Sequence, residues 1–212
     1  MKSSEERIND IILTLRNAYP ETQTALDYKT PLQLLVATIL SAQCTDERVN
    51  KVTPGLFQKY PDAQAFAQAV PSELEEAIHS TGFFRNKAKH IIGASKKIVD
   101  DFNGQAPDTM EALLTLPGVA RKTANIILAS VFKKAEGIAV DTHVHRLANR
   151  LGLSQKKSPD QIEKDLLKLV PKQDWIDFNF LLVNHGRSVC VAKKPKCSAC
   201  RLNTLCPSST IT

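Results

Sequence analysis

Apolar residues recur along this chain at three- and four-residue intervals, and short polar or proline-containing breaks separate the runs. Ser3-x-x-Glu6 predicts a capping box for a helix carrying Ile8, Ile11, Ile12 and Leu15, ended by Tyr19-Pro20. Thr30-Pro31 opens the next helix, with Leu32, Leu35, Val36, Ile39 and Leu40 as its buried stripe. Ser41 to Asp46 breaks that stripe, and Thr45 or Asp46 caps a helix carrying Val49 and Val52. Two short helices are predicted on either side of Pro71, the second opened by Ser72-x-x-Glu75. Gly82-Phe83-Phe84-Arg85-Asn86 turns into a longer helix with Ala88, Ile91, Ile92, Ser95, Ile98 and Val99, stopped at Asn103-Gly104. Asp108-x-x-Glu111 caps a helix that runs into Leu116-Pro117-Gly118-Val119-Ala120-Arg121-Lys122-Thr123-Ala124, and Ile126, Ile127 and Val131 continue beyond it. Gly137 to Val140 is the one strand-like stretch. Asp141 then caps a helix through Val144, Leu147 and Leu151, stopped by Gly152. Ser158-Pro159-x-Gln161 starts another that Pro171 ends, and a last helix runs from Asp174 to Arg187. The pattern predicts about ten helices and no sheet, an all-α protein.

The nonapeptide from Leu116 to Ala124 is the stretch around which the rest is organised. Pro117 ends one helix, and Gly118 tolerates the positive φ that a tight hairpin needs. The next helix opens with Arg121 and Lys122, although a helix N-terminus carries partial positive charge and ordinarily attracts carboxylates. Two cations beside free amides at a positive dipole end make an anion site, and phosphate is the natural anion. A Pro-Gly turn followed by solvated cations fits the same residues.

Composition narrows the choice. The 212 residues carry a net charge of +6, with a pI near 9.1, which suits a polyanionic partner. No apolar signal core is seen at the N-terminus, and no apolar run approaches the roughly 18 residues of a membrane span. A cytoplasmic protein is therefore expected, and its five cysteines are not expected to form structural disulfides. Four of them, Cys190, Cys197, Cys200 and Cys206, crowd into the last 23 residues with the spacing C-x6-C-x2-C-x5-C. Chords this short let four thiolates converge on one metal centre. A single C-x2-C pair with irregular flanking gaps suits an iron–sulfur cubane, and a four-cysteine zinc site fits as well. Cys44 stands apart and reads as a buried thiol acting as a small hydrophobe. Between the first two ligands lie Lys193, Lys194 and Lys196, either a phosphate-contacting finger or a solvated loop.

The hairpin, Asp141 within Val140-Asp141-Thr142-His143-Val144, and the terminal cysteine quartet occur here in a distinctive order. Together with Leu40-Ser41-Ala42-Gln43-x-Thr45-Asp46 and Asn86-Lys87-Ala88, they make nearly the whole chain resemble the endonuclease III family of helix-hairpin-helix DNA glycosylases. The resemblance implies a [4Fe-4S] cluster on the four cysteines. It also implies a six-helix barrel over residues 23–135 containing the hairpin at about 108–130. A second domain would comprise residues 1–22 plus 136–212, with the cluster loop at 190–206 and a DNA-binding cleft between the two. Lys122 and Asp141 are then the expected catalytic pair, facing each other across that cleft.

The residue types suit that chemistry. A base inside duplex DNA must be flipped out before it can be processed. A neutral lysine amine can attack C1′, displace the base and form a Schiff base, after which elimination of the 3′ phosphate nicks the strand. The dipole end and Arg121 favour the neutral amine, and partial burial of Lys122 is expected to add to that. Asp141 would stabilise positive charge on the sugar and assist proton transfer. The resemblance also assigns Gln43 and Phe83 to the space vacated in the duplex, with core packing as the alternative for Phe83. Asp46 and His143 fall near the pocket or serve as a cap and a structural group. Gly118, Ala120 and Arg121 are assigned to the DNA backbone. Many relatives have glycine where Ala120 stands, so a looser phosphate contact or a tilted backbone is expected there. The expected partner is duplex DNA with oxidised bases or abasic sites, bound by a monomer in the cytoplasm at the nucleoid, with no membrane involved. Two alternatives are a monofunctional adenine-type glycosylase of the same superfamily, which lacks the lysine, and a non-catalytic DNA-binding module with a structural metal.

Overall fold

The computed structural model describes residues 3–210, and among them there are helices, turns and loops but no strand. The chain divides into two compact units, Met1–Gln23 with Lys133–Thr212, and Thr24–Phe132.

Helix α1 (Ser4–Ala18) opens the first unit, with the full reciprocal capping box between Ser3 and Glu6. Thr24–Phe132 then contributes α2 (Pro31–Leu40), α3 (Asp46–Lys59), α4 (Ala63–Ala67), α5 (Pro71–Ala77), α6 (Phe84–Phe102), α7 (Met110–Leu114) and α8 (Arg121–Ser130). Its core joins Leu34, Leu35 and Leu40 to Phe66, Leu74, Ile91, Ile98, Leu113 and Ile127. Thr30 and Thr45 cap α2 and α3 through their hydroxyls, as the sequence predicts. Two predicted caps shift, one by two residues and one by a single residue. Helix α5 begins at Pro71 after Val70, which has no side-chain acceptor, so Ser72 does not cap it. Thr109, not Asp108, caps α7, its Oγ1 accepting from the Ala112 amide at 3.3 Å. Cys44 is only half-buried, packed against this core.

The remainder of the first unit carries α9 (Thr142–Arg150), α10 (Pro159–Leu169) and α11 (Trp175–Ser188). Ser158 precedes α10 without a side-chain cap bond, and a 3₁₀ turn over Lys172–Asp174 leads into α11, so the last helix starts one residue later than Asp174. The apolar stretch from Ile138 to Val140 is buried but is not a strand. The Ala139 carbonyl accepts from the Asn179 side-chain amide at 2.6 Å, so a side chain satisfies the backbone where a sheet partner would otherwise be needed. Ile8, Ile11, Ile12 and Leu15 pack with Val144, Leu147, Ile162, Leu166, Phe178 and Leu182. Arg16 fastens α1 to Asp174 and Asp177 at 2.8 and 2.9 Å. Arg7 reaches the carbonyls of Leu151 and Leu205, tying α1 to the end of α9 and to the cysteine segment.

Candidate functional site

The hairpin is anchored by its apolar residues and exposes the others. Leu116 and Val119 are buried, whereas Pro117, Gly118 and Ala120 are exposed. Gly118 has φ +79°, and a Cβ there would lie 2.7 Å from the Cβ of His90 on α6. Glycine is thus required twice over, by conformation and by the close approach of α6. Ala120 has φ −94° and ψ 169°, extended backbone that any L-residue adopts, so alanine does not impose the expected tilt. As the N-cap of α8 it offers no side-chain acceptor, so the amides of the first turn meet no side-chain cap. Lys122 lies in that turn and is exposed, not partly buried as expected; Arg121 is half-buried. The site therefore combines uncapped amides with an accessible amine.

Three further non-glycine residues of the same unit have positive φ: Asn103, which ends α6, and Gln43 and Phe83 in turns. Gln43 (φ +53°) follows α2, and Phe83 (φ +49°) immediately precedes α6. Both side chains are exposed, Phe83 to 62%. Phe84 takes the packing role instead, half-buried with its ring 4.5 Å from that of His79. A left-handed backbone is costly for a residue with a Cβ, and such positions cluster at functional surfaces. The combination of exposure and positive φ makes Phe83 a poor core residue and a good protruding one.

In the other unit, Asp141 is the N-cap of α9. Its Oδ1 accepts from the amides of His143 and Val144, both at 2.8 Å, which fixes the side chain and leaves Oδ2 outside the cap. The His143 Nδ1 lies 3.2 Å from an Arg146 guanidinium nitrogen, and burial together with Arg146 and Arg187 lowers its proton affinity despite Asp141. Asp46 is the first residue of α3, which Thr45 caps.

Cys190, Cys197, Cys200 and Cys206 line one cavity of about 250 Å³, together with Arg150 and His185. Among the described residues, no three His, Cys, Asp or Glu side chains converge closely enough to hold a single metal ion. The thiols instead surround a space. Burial pushes the Cys200 and Cys206 thiols up, and neighbouring cysteines add to that, while hydrogen bonds from Thr210 hold Cys197 down. Four mutually repelling thiolates need a cationic centre between them.

Sequence reasoning missed the arginines that hold this loop. Arg146 and Arg150, four residues apart on α9, stack on one helix face. Arg146 donates to the carbonyls of Gly186 and Cys190, at 2.9 and 3.0 Å. Arg150 donates to those of Val191 and Ala192, both at 2.8 Å, and reaches the Cys190 sulfur at 3.3 Å. The i, i+4 spacing was visible; its target was not. The three lysines divide. All three are exposed, Lys194 at φ +55°, but Lys196 donates to the Ser188 carbonyl at 3.1 Å.

Residues 36–172 match the family model of the HhH-GPD superfamily of base excision DNA repair proteins. The chain is 59% identical to an endonuclease III of Synechocystis over 209 residues, covering 99% of this chain and 95% of that one. It is 38% identical to the Escherichia coli K12 enzyme of that name, covering 93% of each. Among solved structures it is similar to a non-covalent endonuclease III–DNA complex, with a TM-score of 0.92 at 38% identity, covering 99% of this chain and 97% of that one. A trapped covalent endonuclease III–DNA intermediate with an estranged adenine gives the same score and identity, covering 99% and 98%. The chain belongs to the HhH-GPD superfamily of base excision repair proteins and, within it, to the endonuclease III family.

Proposed function

We propose that this protein removes oxidised, pyrimidine-type bases from duplex DNA and nicks the strand 3′ to the resulting abasic site. The observation that carries this reading is Lys122, an exposed amine in the first turn of a helix whose amides meet no side-chain cap. The hairpin amides and Arg121 hold the phosphate backbone, and the lesion is flipped towards the lysine. The Lys122 Nζ attacks C1′, the glycosidic bond breaks, and the base leaves with its electron pair and takes up a proton. Loss of the amine proton and opening of the sugar give a Schiff base. Removal of a C2′ proton then expels the 3′ phosphate. Asp141, through the carboxylate oxygen outside its helix cap, stabilises cationic character at the sugar during attack. Gln43 and Phe83 occupy the space that the flipped nucleotide leaves. Membership of the endonuclease III family, and the covalent trapping of a similar protein on DNA, support the whole sequence of steps. No helix among the described residues is long and apolar enough to cross a membrane. We place the working protein at the nucleoid in the cytoplasm, as a monomer.

Borohydride reduction in the presence of abasic duplex tests the reading directly. A covalent protein–DNA adduct is expected. No adduct, with clean base removal from a lesion-bearing duplex, would instead indicate a monofunctional glycosylase, and binding with no chemistry on either duplex a DNA-binding module.

Cys190, Cys197, Cys200 and Cys206 are proposed to hold a [4Fe-4S] cluster, which fits thiols that surround a cavity and do not converge on one point. When bound, it would supply the positive centre that four thiolates require and close the loop bearing the lysines. The purified protein is expected to be brown, with about four iron and four sulfide per chain. A colourless, active protein with stoichiometric zinc would refute the assignment.

Within that loop, Lys193 and Lys194 are proposed to contact phosphates directly. Lys196, engaged with the end of α11, would contribute charge and hold the loop. Replacing all three by alanine should weaken binding to damaged and undamaged duplex alike. The slope of log K against log[salt] should become shallower by about 0.9 for every phosphate no longer neutralised by a lysine. An unchanged slope would make the loop a solvated face.

A further inference from the structure

Lys87 is a lysine where a lysine is seldom found. It lies in the first turns of α6, beside Ala88 and Ile91, and is only 4% exposed. Its Nζ donates to the Leu40 carbonyl at 2.7 Å and to the Thr81 carbonyl at 2.8 Å. Leu40 is the last residue of α2, and Thr81 the last residue of the 3₁₀ turn before Gly82. Helix carbonyls at such ends lack an intrahelical donor and carry the negative end of the dipole, so they are natural acceptors for an ammonium. Burial lowers the proton affinity of Lys87, and nearby Cys44 opposes that. Either protonation state has enough N–H groups for both bonds.

The two carbonyls are what give the amine a function. Leu40 is three residues before Gln43, and Thr81 is two residues before Phe83. Gln43 and Phe83 are exposed, with φ +53° and +49°, on turns far apart in sequence. The Lys87 amide also donates to the Phe83 carbonyl, at 3.1 Å. The amine thus fixes the entry to the Gln43 turn and the entry to the Phe83 turn, while the backbone bond that opens α6 holds the exit from Phe83. No other purpose is evident for an amine buried in this core. Methionine would fill a similar space without the cost of burying an ionisable group.

We propose that Lys87 is a positioning residue that locks the Gln43 and Phe83 turns into one rigid pair, so that both side chains enter the duplex together. This rests on the reading of those two residues as occupants of the vacated space. The cost of holding two left-handed turns is then met by the folded protein in advance, and no ordering is left for the DNA to impose.

The test uses the full protein and a duplex bearing 2-aminopurine opposite a tetrahydrofuran abasic analogue, whose fluorescence rises when the reporter leaves the stack. Lys87→Met keeps the volume and removes both bonds. At saturating protein it should lose most of the fluorescence rise, and single-turnover excision from a separate lesion-bearing duplex should slow about tenfold, a usual coupling between residues of one network. In a Gln43→Ala/Phe83→Ala background, Lys87→Met should cause no further slowing, although it still lowers the melting temperature. A merely structural lysine would lower the melting temperature in both backgrounds and leave excision per trapped molecule unchanged, and that result would overturn the proposal. If Lys87→Met does not fold, the Gln43→Ala and Phe83→Ala cycle in the parental protein decides. A locked pair gives a double variant scarcely worse than Phe83→Ala alone, and strictly additive losses overturn the lock. If neither single variant alters the fluorescence, the reading of the two turns falls and the proposal with it. If both alter it and Lys87→Met does not, only the lock falls.

Discussion

Lys122→Ala is expected to abolish both borohydride-trapped adducts and strand nicking, while binding to undamaged duplex remains largely intact. Lys122 is the only lysine on α8, and its neighbour Arg121 cannot substitute, because a guanidinium is not deprotonated at accessible pH. The hairpin does not depend on the lysine for its shape. Leu116 and Val119 are buried, and Gly118 is packed against His90, so the amides at the start of α8 remain presented after the substitution. Lys122→Arg makes the same point more sharply: it restores the charge, so affinity should return, but it restores no nucleophile. Trapping and nicking assays on abasic duplex, with affinity measured in parallel, distinguish these effects. Full nicking by purified Lys122→Ala would eliminate the lysine as the attacking group.

The positions read correctly from sequence are those whose physics is local. Ser3, Thr30 and Thr45 cap their helices because a hydroxyl two or three residues from an amide acts without help from the rest of the fold. Gly118 was legible for its positive φ; that its missing Cβ also admits His90 depends on how α6 packs, and periodicity carries no such information. The two slipped caps, Ser72 and Asp108, were competitions between nearby positions, decided by Pro71 in one case and by the Thr109 hydroxyl in the other. Gly137 to Val140 looked like a strand because a buried apolar run needs backbone partners, and nothing local said that Asn179 would provide one. The site divides in the same way. Spacing brought the four cysteines together, while nothing local marked Arg146 and Arg150, which hold their loop. Lys87 entered only as part of the Asn86-Lys87-Ala88 motif, and the convergence of two distant helix ends that buries it has no local signal.

Asp141 carries the second large effect, and its geometry dictates which substitution is informative. Alanine would remove the N-cap of α9, a loss of about 1 kcal/mol of stability, and would confuse folding with chemistry. Asparagine caps a helix as well as aspartate does, so the bonds from the His143 and Val144 amides can persist on its side-chain oxygen. What Asp141→Asn removes is the negative charge on the oxygen outside the cap. Base excision should therefore slow by about 10²- to 10⁴-fold, the range for a positioned acid–base group. Cleavage at a preformed abasic site should be less affected, because the glycosidic bond is already broken and charge no longer has to develop at the sugar in the same way. The melting temperature should remain close to the parental value. Single-turnover rates on a lesion-containing duplex and on an abasic duplex, measured with the same preparation, give the ratio that decides. Equal loss of both steps would reduce Asp141 to a structural cap, and the stabilisation of the sugar cation would have to come from another group.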